Sequence, residues 1–107
     1  MHIPEISPLE LAVELQSESP PQLLDVREAF ELDISRLENV THIPMDDLPY
    51  RLEELDHNAD WVIVCRTGNR SGTITHYMLQ NGFRNVRNLR SGMNGWADTV
   101  DPTVRKY

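Results

Sequence analysis

The sequence predicts an α/β domain of three layers, a central parallel sheet of about five strands with helices on both faces. Three observations predict it. Short apolar runs alternate along the chain with segments whose apolar residues recur at helical spacing. One run, Trp61-Val62-Ile63-Val64, is continuously apolar, as a strand covered on both faces must be. The chain has 107 residues, enough for one core, so a single domain over residues 1–107 is expected.

The elements follow in order. Ser7-Pro8-Leu9-Glu10 combines a capping box with proline at the first helical position, and Leu9, Ala12, Val13 and Leu15 continue an apolar face. This predicts a helix over residues 8–17, broken by the turn Ser17-Glu18-Ser19-Pro20-Pro21. Leu23, Leu24 and Val26 predict a buried strand that runs out through Asp25-Val26-Arg27-Glu28 into a functional loop. Thr41-His42-Ile43-Pro44 reads as a shorter strand, after which Asp46 or Asp47 caps a helix carrying Leu48, Leu52 and Leu55. The apolar run at 61–64 is the central strand, with Cys65 at its carboxyl end. Ile74, Tyr77 and Met78 share one face of a helix over residues 71–81, closed by Gly82 as a left-handed cap. Asn85-Val86-Arg87-Asn88-Leu89 is the last strand, and Ser91-Gly92-Met93-Asn94-Gly95-Trp96 turns into a short helix.

Composition excludes several classes of function. Net charge is −7, which disfavours nucleic acid and anionic membrane as partners. The charge is uneven: residues 1–60 hold fifteen acidic side chains against three arginines, whereas residues 61–107 hold two against seven basic ones. No apolar run approaches the roughly 20 residues of a membrane span, and the first ten residues lack a signal-peptide pattern, so a soluble cytoplasmic protein is expected. Cys65 is the single cysteine, which rules out an internal disulfide. His2, His42, His57 and His76 show no metal-ligand spacing, so neither a metal nor a cofactor is expected, and no histidine is assigned as a base. Trp61 and Trp96 read as packing residues.

The segment after Cys65 carries the chemistry. In open parallel sheets ligands bind beyond the carboxyl ends of strands, where Cys65 falls. A loop wrapping from strand into helix can turn its N–H groups onto one point, backed by the positive end of the helix dipole. An anion there is favoured. If the point is the Cys65 sulfur, the thiolate is stabilised over the thiol, with Arg66 and Arg70 adding to the effect, and the sulfur becomes a nucleophile at neutral pH. Gly68 permits the tight curvature, and Thr67, Asn69 and Ser71 offer hydrogen bonds to a sulfur or an oxyanion.

Cys65-Arg66-Thr67-Gly68-Asn69-Arg70-Ser71 is flanked by Leu24-Asp25-Val26-Arg27-Glu28 upstream. Gly82-Phe83-Arg84-Asn85-Val86 and Gly92-Met93-Asn94-Gly95-Trp96 follow downstream. In that order, across nearly the whole chain, these motifs resemble a single-domain rhodanese. The resemblance implies the rhodanese-like three-layer fold and a thiosulfate-type sulfurtransferase without cofactor. Cys65 would take sulfur from thiosulfate or another small anionic donor as a persulfide and pass it to cyanide or a protein thiol. It implies that residues 66–71 bind the donor and cradle the persulfide, with the side chain after the cysteine helping to select the donor. Asp25 and Arg27 would hold the loop. Where many rhodaneses read Gly-His-Ile-Pro-Gly-Ala, this chain has Ser35-Arg36-Leu37-Glu38-Asn39-Val40 followed by His42-Ile43-Pro44-Met45. That variant resembles the rhodanese domains of E1-like activating enzymes, which implies a sulfur-acceptor or sulfur-donor protein as partner.

Two other readings compete. The rhodanese fold can serve as a docking or regulatory module whose thiol does not turn over, against which the intact cysteine and full loop count. Cysteine-dependent phosphatases resemble the loop but need five residues between cysteine and arginine; Arg70 follows after four, and Ser71 stands where that arginine would be.

Overall fold

A computed structural model describes residues 2–107. Five strands form one parallel sheet: β1 (Glu5–Ile6), β2 (Gln22–Asp25), β3 (Thr41–His42), β4 (Asp60–Val64) and β5 (Asn85–Leu89), in the spatial order β1-β5-β4-β2-β3. The helices are α1 (Pro8–Leu15), α2 (Ala29–Ile34), α3 (Asn69–Gln80) and α4 (Gly92–Thr99). From β2 the chain moves outward to β3 and then returns to the other side of β2 as β4. The β2/β4 boundary is therefore the switch point of the sheet, and the segments leaving the two strands, from Val26 and from Cys65, emerge side by side.

Strand alternation divides the core. Trp61, Ile63 and Cys65 join Leu24, Val26, Ile74, Met78 and Val86 on the face covered by α3. Val62 and Val64 join Leu11, Leu23, Leu89, Met93 and Trp96 on the face covered by α1 and α4. The continuous apolar character of β4 is thus the consequence of two covered faces. Cys65, just past the end of β4, packs on the α3 face with Trp61 and Ile63.

Several boundaries differ from the sequence expectation, each for a local reason. The first helix ends at Leu15, not residue 17, because the Ser17 hydroxyl donates to the Glu14 carbonyl (2.6 Å) and closes the last turn ahead of Pro20. The helix expected after Asp46 or Asp47 is instead a pair of 3-10 turns, Met45–Tyr50 and Leu52–Glu54. Pro49 has no N–H with which to continue an α-helical ladder, and both aspartates lie inside the first turn with Pro44 at the cap position. Strand β1 and helix α2 were not anticipated; β1 is two residues long, and α2 starts where Glu31 Oε2 accepts the Glu28 N–H (2.8 Å). Gly82 adopts the expected left-handed conformation (φ 89°).

Gly92 fixes where α4 meets the segment after β4. Its φ is 57°, and a Cβ there would lie 2.5 Å from the Cys65 carbonyl oxygen and 2.6 Å from the Arg66 carbonyl carbon, both backbone atoms. Gly72, inside α3, has room, its nearest neighbours being side-chain atoms at 3.4 Å. Gly92→Ala is expected to destabilise on the order of 3 kcal/mol, and Gly72→Ala to be neutral or stabilising by up to about 1 kcal/mol. Urea unfolding midpoints of the two variants against wild type check this ranking.

Candidate functional site

The sulfur of Cys65 lies at the bottom of the β4–α3 turn, in a residue only 1 % exposed. Gly68 takes a left-handed conformation (φ 99°) and its N–H donates to Cys65 Sγ at 3.1 Å. The next backbone bond of α3 is Gly72 N–H to the Gly68 carbonyl (3.1 Å), so the N–H groups of Asn69, Arg70 and Ser71 precede the helical ladder, at the positive end of α3. On the other side, Met93 N–H donates to the Cys65 carbonyl (2.9 Å) and Asn94 N–H to the Arg66 carbonyl (3.0 Å). In a trans peptide N–H and C=O point in opposite directions, so these two bonds turn the N–H groups of Arg66 and Thr67 away from α4. The turn is therefore held between the first turns of two helices, with its carbonyls satisfied on one side.

A second chain of bonds reaches the sulfur from β5. Ser71 Oγ is 3.1 Å from Cys65 Sγ and donates to Asn88 Oδ1, while Asn88 Nδ2 donates to the Gly68 carbonyl (3.1 Å) and to Glu5 Oε2 (3.2 Å). Both Ser71 and Asn88 are buried. Since both partners of Nδ2 can only accept, the amide orientation of Asn88 is fixed, and with it the direction of the Ser71 proton.

Asp25 and Arg27, both fully buried, form an ion pair beside the loop. Arg27 Nη2 donates to Asp25 Oδ2 (2.7 Å) and to the Ser35 carbonyl (2.7 Å), and Nε donates to Oδ1 (2.9 Å). Nη1 donates to Tyr107 Oη (2.9 Å), and the Arg27 carbonyl accepts from His42 Nε2 (2.7 Å). Such a pair is tolerable in the interior because its polar atoms are matched; removing one partner alone costs about 3–5 kcal/mol.

The two loop arginines have different surroundings. Arg70 is bound end-on by Glu31, Nη1 to Oε2 at 2.7 Å and Nη2 to Oε1 at 2.8 Å, so its charge is matched at close range. Tyr107 Oη also donates to Glu31 Oε1 (2.8 Å); burial pushes that phenol up, which keeps its proton in place for the bond. The Arg70 hydrogen bonds, with help from the Glu28 N–H and Tyr107, hold the Glu31 carboxyl down to about 2. Arg66 is exposed, has no carboxylate within salt-bridge distance among the described residues, and rests over the Tyr107 ring, 5.0 Å from its centroid.

Of the residues singled out in the sequence, Gly68 and Ser71 contact the Cys65 sulfur, Arg66, Thr67 and Asn69 are exposed, Arg70 is tied to Glu31, and Asp25 pairs with Arg27 beside the loop. Sequence reasoning missed Glu31, Asn88, Asn94 and Tyr107. Asn88 carried a signal, a polar residue two positions from Val86 on the inward register of a strand; Tyr107 carried none. Among the described residues no group of three or more His, Cys, Asp or Glu is placed to hold a metal ion, and no helix is long and apolar enough to cross a membrane.

Comparison with known proteins agrees with the geometry. Residues 7–99 match the model of the rhodanese-like domain. The chain belongs to the rhodanese family. A sulfurtransferase from Allochromatium vinosum is 33 % identical over 100 residues, covering 94 % of each chain. The protein named adenylyltransferase and sulfurtransferase UBA4 from Scheffersomyces stipitis is 37 % identical over 97 residues, which cover 81 % of this chain but only 22 % of that protein. A rhodanese-like domain protein from Staphylococcus aureus has the same fold, with a TM-score of 0.85, 30 % identity and coverage of 98 % of this chain and 99 % of that one. These kinships support sulfur transfer as the general activity of the chain.

The low carboxyl value of Glu31 makes a pH prediction. A depressed acid contributes stability that is complete above its unfolded value of 4.5 and lost as pH falls toward about 2. Glu31→Gln is expected to lose about 2–3 kcal/mol at pH 7, and the gap from wild type to close between pH 4.5 and 2. Urea unfolding as a function of pH checks both the size and the window.

Proposed function

We propose that the protein is a thiosulfate-type sulfurtransferase in which Cys65 is the nucleophile. The Cys65 thiolate attacks the outer sulfur of thiosulfate or a similar anionic donor. A bond forms between Sγ and that sulfur, the donor's S–S bond breaks, and sulfite departs with the electron pair. An acceptor nucleophile, cyanide in the test tube or a protein thiol or carrier in the cell, then attacks the outer sulfur and returns the electron pair to Sγ. With one cysteine in the chain, no internal thiol resolves the persulfide.

The observation that carries this reading is the Gly68 N–H directed onto Sγ at 3.1 Å, at the head of α3. Donors fixed in place before the reaction stabilise negative charge on sulfur without reorganisation, as an oxyanion hole does for oxygen. Arg66 supplies the positive charge that meets the donor, because Arg70 is occupied by Glu31. Arg70 therefore acts through the loop it anchors, and Asp25 with Arg27 supports the same turn from below. Thr67, Asn69 and Ser71 complete the rim and the wall of the site.

The motif at 35–45 and the kinship to a protein named adenylyltransferase and sulfurtransferase favour a protein as donor or acceptor. A cytoplasmic location fits a thiol that must stay reduced between turnovers.

Incubation with thiosulfate is expected to add one sulfur atom to the intact mass, removed on adding cyanide with release of thiocyanate, and Cys65→Ser is expected to show neither. An unchanged wild-type mass with every sulfane donor, together with tight binding of a partner protein, would establish the docking module instead.

A further inference from the structure

Residues beyond the family match, which ends at 99, fold back along α4 toward the Cys65 loop. Val100 N–H and Asp101 N–H both donate to the Trp96 carbonyl (2.8 and 3.0 Å), reversing the chain. Val104 packs against the core, Lys106 pairs with Asp98 (2.8 Å), and Tyr107 arrives at the head of the helix. There Asn94 clamps its backbone from both sides, Nδ2 donating to the Tyr107 carbonyl (3.2 Å) and Oδ1 accepting from the Tyr107 N–H (3.4 Å). The same Asn94 holds the Arg66 carbonyl through its own N–H (3.0 Å). One residue thus fixes both Arg66 and Tyr107.

The Tyr107 side chain is fixed at its other end. Its hydroxyl accepts from Arg27 and donates to Glu31, so the ring cannot swing away from the loop without leaving two buried charged groups short of a partner. Arg66 lies over this ring, and a guanidinium over an aromatic face is attracted by the ring's quadrupole. The cation beside the nucleophile is therefore held in place before any donor arrives, and it is held by an uncharged group. That distinction matters. A carboxylate in the same place would cancel the charge, as Glu31 does for Arg70, whereas a ring orders the side chain and leaves its N–H groups free for an anion.

We infer that Tyr107 is a positioning residue for sulfur transfer that sets donor specificity: it holds the Arg66 guanidinium at the rim of the Cys65 loop and so confers the preference for an anionic donor. This rests on the reading of Cys65 as the sulfur-accepting nucleophile. Without the ring, Arg66 must be ordered at the moment of binding, a cost that falls on donor affinity and only for donors that use its charge.

The rate of sulfur-adduct formation on Cys65, followed by intact mass over a range of donor concentrations, separates affinity from maximal rate. Thiosulfate serves as the anionic donor, losing sulfite and leaving the persulfide. An uncharged dialkyl trisulfide serves as the neutral one, losing an alkanethiolate with its electron pair as Cys65 attacks the central sulfur and leaving a mixed alkyl trisulfide on Cys65. Tyr107→Leu is expected to raise the half-saturating thiosulfate concentration by roughly three- to fivefold with the maximal rate far less affected, and to leave the trisulfide reaction in proportion to the folded protein present. Tyr107→Phe, which keeps the ring but loses the hydroxyl bonds to Arg27 and Glu31 that fix it, should fall between wild type and Tyr107→Leu in that concentration. In an Arg66→Ala background, Tyr107→Leu should add nothing further. Equal losses with both donors, or an undiminished Tyr107→Leu effect without Arg66, would overturn the inference while sulfur transfer stands. A wild-type protein that neither donor loads would remove the underlying reading as well.

Discussion

Two helix N-termini meet on one short turn, and the geometry of the site depends on that meeting. The first turn of α4 takes the carbonyls of Cys65 and Arg66, which leaves the other side of the same peptides presenting N–H groups. The first turn of α3 brings Gly68 N–H to the sulfur. Helix ends always carry unpaired backbone groups, and here those of α4 bind the carbonyls of the turn while the head of α3 faces the Cys65 sulfur. Gly92 is the condition for it, since any side chain there would separate α4 from the turn, and Gly68 is the condition for the curvature. The strand beneath, buried on both faces, supplies the rigid base of the turn.

Around the turn, charge is matched pair by pair. Asp25 answers Arg27, Glu31 answers Arg70, and Tyr107 bridges the two pairs through one hydroxyl. A buried polar network of this kind is stable only when it is complete, and it then transmits position well because no member has an alternative partner. Arg66 stands outside the pairing, and its positive charge stays available at the rim. The uneven charge along the sequence accordingly does not persist as two opposed lobes. Arg70 and Arg87, from the basic stretch, are bound to Glu31, Glu14 and Asp60 from the acidic one.

Much of the fold was legible because its signals are local. The capping box at Ser7, the apolar run at 61–64, the helical face of Ile74, Tyr77 and Met78, and Gly82 all took the forms expected of them. The misses are equally physical. Strand β1 is too short to show a period, α2 is a six-residue helix after a polar turn, and Pro49 converts an apparent helix into 3-10 turns. At the site, Cys65 and its loop were legible because they are contiguous. Glu31 and Tyr107 were not, lying 39 residues before and 37 after Arg70, with which they form one cluster.

The sequence by itself determined the α/β alternation of the longer elements and which sulfur ends a buried strand, because hydrophobic period, caps and turn residues act over a few neighbouring positions. It also determined the family, through motifs that recur in a fixed order. Only the tertiary structure decided which charges near that sulfur remain free. Arg66 and Arg70 are equivalent as letters, and their difference arises because a carboxylate from α2 reaches one and an aromatic ring from beyond α4 reaches the other. Electrostatic effect depends on distance in space, which separation along a chain does not encode.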